Sequence, residues 1–72
     1  LPRANRGLHA HRAAAAQQNA DDVAKARDRL RRGAYRGSNG AFQRHWDLMT
    51  VRRRRRPTQM QALVDFERQK RV

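Results

Sequence analysis

Eighteen lysines and arginines stand against six aspartates and glutamates in this chain of 72 residues, a formal net charge of +12. A compact fold must work against that repulsion unless an anionic partner neutralises it. The apolar content gives limited help, since hydrophobic residues make up 38% of the chain and the mean hydropathy is −1.17. The sequence therefore predicts a chain that orders on a partner rather than building a large core of its own. There is no cysteine, which excludes a disulfide framework, Cys-based zinc modules and thiol nucleophiles. No run of residues approaches the eighteen or so apolar positions that a membrane-spanning helix needs, so no transmembrane segment is expected. A chain this short also has little material for a water-excluding catalytic pocket, and neither an enzyme nor a small-molecule substrate is expected.

Only two of the basic residues, Lys25 and Lys70, are lysines; the other sixteen are arginines. The guanidinium fork binds phosphate bidentately, stacks on bases and is weakly hydrated, which suits a crowded, phosphate-rich setting. A GC-rich coding sequence would also enrich arginine and alanine, but it would not produce the net charge.

The chain divides by composition into alternating helical and basic segments. Residues 1–19 form a basic, Ala-rich arm containing Arg3, Arg6, Arg12, His9 and His11 and no acidic residue. That composition is like an organellar transit peptide's, and a processed start is one expectation for it, an ordinary basic tail the other. Asn19 is placed to cap a helix over 20–32, with Asp21 and Asp22 at its positive end. The alanine run Ala13–Ala16 would let that helix reach back to about Leu8. Its seam is Ala16, Ala20, Val23, Arg27 and Leu30, narrow and interrupted by a charge. Gly33 supplies the stop and opens a Gly-rich linker over 33–40. Ser38 or Asn39 is placed to cap a short aromatic helix over 41–49, in which Phe42, Trp46 and Met49 share a face. An arginine-rich linker over 50–57 ends at Pro57, and Thr58 with Gln61 matches a capping box opening a C-terminal helix over 58–72, which fades near Lys70. Its apolar positions are Met60, Leu63 and Val64, flanked by Phe66. Asp21 and Lys25, Asp28 and Arg32, and Glu67 and Arg71 are spaced as i,i+4 ion pairs. No period-two alternation suggests a sheet. The expected fold is all-α: an extended, non-globular chain of two or three short helices joined by basic linkers.

The five consecutive arginines, Arg52, Arg53, Arg54, Arg55 and Arg56, carry the functional reading. Extended, their side chains alternate in direction; helical, they fan out about 100° apart, so no flat surface meets all five. Phosphates on several sides would. With Arg31, Arg32 and Arg36 they form the expected nucleic-acid contacts, and Tyr35, in a Gly-flanked basic loop, is the candidate for stacking on a base. A solvated basic run, or one held by acidic protein, is the bland alternative. Phe42, Trp46, Met49, Met60, Leu63 and Val64 are assigned to packing against a protein partner. His9 and His11 lack Cys or acidic companions, so no metal and no cofactor are expected. Asp21 and Asp22 are explained by helix capping rather than catalysis.

In its overall character the chain resembles the small, Arg-rich, extended proteins of ribosomes, particularly mitochondrial ones. The resemblance is one of composition and assigns no individual residue a role. It implies a structural rRNA-binding subunit in the mitochondrial matrix, neutralising phosphates and bridging neighbouring ribosomal proteins, without catalysis. Two other readings stand beside it. One is an accessory helical subunit of a mitochondrial protein complex of respiratory-chain type, its arginines on acidic subunits or cardiolipin. The other is a nucleoid or DNA-packaging basic peptide.

Overall fold

The structure is a computed structural model that describes residues 2–37 and 40–71. It contains three helices, α1 (Pro2–Arg31), α2 (Gly40–Arg53) and α3 (Gln59–Lys70), with no strand among the described residues. The chain is all-α and drawn out along one axis. Its radius of gyration is 15.5 Å with extents of 52 × 29 × 21 Å, against about 11 Å for a compact domain of this length.

The elongation comes from α1, which is neither short nor confined to 20–32. It runs through the basic arm from Pro2. Proline is preorganised for the first turn, and the alanines that follow have the best helix propensity, so nothing interrupts the ladder before Asn19. Asn19 consequently caps nothing. Gln17 and Gln18 lie one turn before Asp21 and Asp22 and donate to them at 3.0 Å each. Residues 7–20 are exposed on every side, so the first half of α1 projects from the body as a free rod. His9 and His11 lie on that rod about 200° apart around the axis, which directs their rings away from each other.

α3 is the centre of the body, and α1 and α2 each pack on it rather than on each other. Its capping box forms as the sequence predicts: the Gln61 amide donates to Thr58 Oγ1 at 3.1 Å and the Thr58 amide to Gln61 Oε1 at 2.9 Å. Ala62, Leu63, Val64 and Phe66 are buried along it, meeting Ala26 from α1 and Phe42 and Met49 from α2. Val23 and Leu30 pack at the edge of this cluster, while Arg27, placed on the seam by sequence, is exposed. The small side chain of Ala26 lets α1 approach α3 closely; it is fully buried.

Both α1 and α2 end in the same hydrogen-bond pattern. After α1, the Gly33 amide donates to Leu30 O and the Ala34 amide to Arg29 O; after α2, Arg54 donates to Val51 O and Arg55 to Thr50 O. These are Schellman closures, which need a left-handed residue just past the helix. Gly33 provides it at φ 85°, and Arg54 at φ 53°. Ser38 and Asn39, the proposed caps of α2, lie outside the described residues.

Candidate nucleic-acid interface

The five arginines are neither a uniform helix nor a uniform strand. Arg52 and Arg53 complete α2, Arg54 takes the left-handed turn, and Arg55 and Arg56 lead out to Pro57. The turn is held from inside. Trp46 Nε1 donates to Pro57 O at 2.8 Å, and the Arg56 guanidinium sits 4.2 Å from the centre of the Trp46 ring. Arg56 also reaches Asp47 at 3.6 Å. Of the five, Arg56 is therefore committed to the fold, and Arg52 to Arg55 are presented outward. No carboxylate among the described residues pairs with any of those four. A fixed backbone with four free guanidinium groups can meet phosphates with little ordering cost.

The acidic residues are spent internally. Asp22, 2% exposed at its side chain, accepts from Arg68 Nε at 2.7 Å and from Arg71 Nη2 at 2.6 Å. The hydrogen bond from Arg68, then that from Arg71, holds its carboxyl well below the usual carboxylate range despite the opposing effect of burial. Glu67 pairs with Arg29 across the same seam, Asp65 with His45 at 2.8 Å, and Asp28 with Arg32 at 3.2 Å. Of the three expected i,i+4 pairs only Asp28–Arg32 forms. Glu67 and Arg71 turn to partners on α1, and Asp21 accepts from Gln17. Arg32 is thus partly engaged, whereas Arg31 and Arg36 are exposed and have no ion-pair partner among the described residues.

Tyr35 is not a free stacking residue. Although the chain turns left-handed there (φ 62°), its ring lies 5.5 Å from Phe42 and 5.7 Å from Phe66, with Lys70 Nζ at 5.3 Å on its face. Phe42 in turn stacks on Trp46 at 5.9 Å. All four aromatic residues of the chain form one cluster, because a core this small recruits every large ring it has. The residues assigned to a protein partner also turn inward: Phe42, Met49, Leu63 and Val64 are buried in this chain's own core, and Trp46 and Met60 are half-buried against it. Among the described residues the large apolar side chains left outside are Leu8, Leu48 and Val51. Sequence periodicity marked the large apolar residues of α2 and α3 but not whose core they fill, and on α1 it named Ala16 and Ala20, which are exposed, in place of the buried Ala26.

No group of three or more His, Cys, Asp or Glu converges among the described residues, and no helix there is long and apolar enough to cross a membrane. The fold and surface define a small three-helix protein with its acids paired within the chain, Asp22 and Glu67 of them buried, and an arginine turn facing out. No family model, no curated protein and no solved structure matches the chain.

Proposed function

We propose that this protein is a structural, non-catalytic rRNA-binding subunit of a ribosome, in the mitochondrial matrix, with neighbouring ribosomal proteins as its other partners. The observation that carries the reading is the partition of charge. Every one of the six Asp and Glu side chains has a hydrogen-bonding or ionic partner within the chain, while Arg52 to Arg55 have no acidic partner among the described residues, so the excess positive charge is displayed to the outside. Such a surface binds phosphates and neutralises them. The fanned directions of the four arginines favour folded RNA, which surrounds a projecting turn with phosphates, over the outside of a duplex. The free rod of α1 adds a second basic element that reaches roughly 25 Å from the body. Leu48 and Val51, exposed three residues apart on α2, give a small apolar contact for a neighbouring protein.

The test is RNA affinity as a function of salt. Log affinity should fall linearly with log salt, with a slope of about −0.7 per neutralised phosphate on single strands and about −0.9 on duplex. A shallow slope, with tight binding to an acidic protein surface instead, would favour the accessory-subunit reading. Preference for duplex DNA over structured RNA would favour DNA packaging.

A further inference from the structure

Two cavities adjoin below the arginine turn. The larger, about 300 Å³, is bounded by all three helices and has Val23, Met60 and Val64 as its apolar lining. The smaller, about 230 Å³, is lined by Arg53, Arg55, Pro57 and Gln61. Arg53 and Gln61 line both. The smaller cavity is thus cationic, and the larger sets its three apolar side chains among polar ones, Asn19, Asp65 and Arg68 besides the shared Arg53 and Gln61.

The polar groups on the larger cavity have capacity left over. Asn19 Oδ1 is taken by Arg68 Nη2 at 2.7 Å, which leaves the Asn19 amide NH₂ to donate. Gln61 Oε1 is taken by the Thr58 amide, which leaves the Gln61 NH₂ likewise. Asp65 Oδ2 faces His45 and Gln69, and its second oxygen remains an acceptor. Aliphatic walls with donors and an acceptor around them suit a flat ring that is apolar on its faces and polar along its edge. At about 300 Å³ the space is at the small end for ligand sites, enough for one such ring and not for a stack of them.

We propose that this pair of cavities binds one unstacked nucleotide of RNA, the base entering between Met60 and the two valines and its phosphate resting on Arg53 and Arg55. The proposal deepens the RNA-binding reading and rests on it. It also supplies what the aromatic residues do not, because Tyr35, Phe42, Trp46 and Phe66 pack on one another rather than standing free to stack on a base. A base flanked by aliphatic side chains and held at its edge is the arrangement this surface offers instead.

Methyl NMR of the full chain, titrated with adenosine 5′-monophosphate and separately with inorganic phosphate, tests it directly. The ring current of a seated adenine should shift the methyls of Val23, Met60 and Val64, and phosphate alone should leave them in place. An unstructured RNA decamer should bind about tenfold more tightly than an abasic strand with the same phosphates. Met60→Trp, which fills the cavity, should abolish that difference without changing the salt slope. If the methyls stay in place and both strands bind equally with a steep salt slope, the nucleotide site is overturned and the phosphate-binding reading stands. If neither strand binds, both are overturned.

Discussion

Asp22 and Arg68, 46 positions apart in sequence, are joined by a hydrogen bond of 2.7 Å from Nε to Oδ2 in the seam between α1 and α3. Arg71 closes on the other oxygen of the same carboxylate at 2.6 Å, and Asn19 receives the second nitrogen of Arg68. This one carboxylate fixes Arg68 of α3 and Arg71, the residue that caps it, against α1. It makes a local helix feature into the clasp of the tertiary structure.

Asp22→Asn should lower the melting temperature more than any other single carboxylate-to-amide replacement. The amide would lose its charge and set an NH₂ group against one of two guanidinium groups, leaving buried polar groups without partners. Asp28→Asn is the control, since its pair with Arg32 is exposed and i,i+4, worth about 0.3–0.5 kcal/mol. Thermal unfolding followed by circular dichroism compares the two.

The same carboxylate gives an acid limit to stability. Its proton affinity is lower in the folded chain than in the unfolded one, because Arg68 and Arg71 stabilise the charged form. The stabilisation is therefore complete above the unfolded value for aspartate, about pH 4, and is lost as the pH falls below it toward the folded value. The gap in melting temperature between the parent chain and Asp22→Asn should be constant from pH 7 to about pH 5 and narrow below about pH 4. A gap that persists unchanged to pH 2 would contradict the assignment.

Arg54→Gly should raise stability by about 1 kcal/mol, because the left-handed conformation at φ 53° burdens a side-chain-bearing residue and not glycine. Gly33→Ala, at φ 85°, should cost a similar amount in the opposite sense. A Cβ at Gly33 meets nothing closer than the Arg36 guanidinium at 3.9 Å, so the loss would come from the left-handed backbone itself and not from a clash with the surroundings. Chemical denaturation of both variants checks the pair.

Replacing Arg52, Arg53, Arg54 and Arg55 together with glutamine should flatten the salt dependence of RNA binding by about 3 units of log–log slope. The melting temperature should not fall, since none of the four has a carboxylate partner in the fold. Arg56→Gln should do the reverse, leaving the slope nearly unchanged and loosening the turn through loss of its contact with Trp46. Equal slopes for the parent and the fourfold variant would place the arginine turn away from RNA.

Tyr35→Ala should destabilise the fold by about 2–3 kcal/mol, less than truncation of a fully buried ring because Tyr35 is only half-buried. Its effect on RNA binding should vanish once measured below the melting transition. Tyr35→Phe keeps the ring and its contacts with Phe42 and Phe66 and should be close to neutral. A selective loss of RNA affinity by Tyr35→Ala, with an unchanged melting curve, would restore the base-stacking role that the loop position suggested.

The sequence by itself determined the helical class, the Gly33 stop, the Thr58–Gln61 capping box and the outward excess of positive charge. Each of these rests on neighbours within a turn or two, or on composition, and such local causes act the same way wherever the helix packs. It also marked Phe42, Trp46, Met49, Met60, Leu63 and Val64 as the apolar set. What only the tertiary structure decided is which partner each group takes. Asn19 looks like a cap until alanine-driven continuity carries α1 through it, and Glu67 and Arg71 look like a local pair until α1 arrives with Arg29 and Asp22. Tyr35 looks available to a base until the chain, left-handed at that residue, brings its ring between Phe42 and Phe66. A carboxylate or an aromatic ring gains more from a desolvated partner across a helix seam than from an exposed one a turn away. Sequence spacing records only the second kind of neighbour.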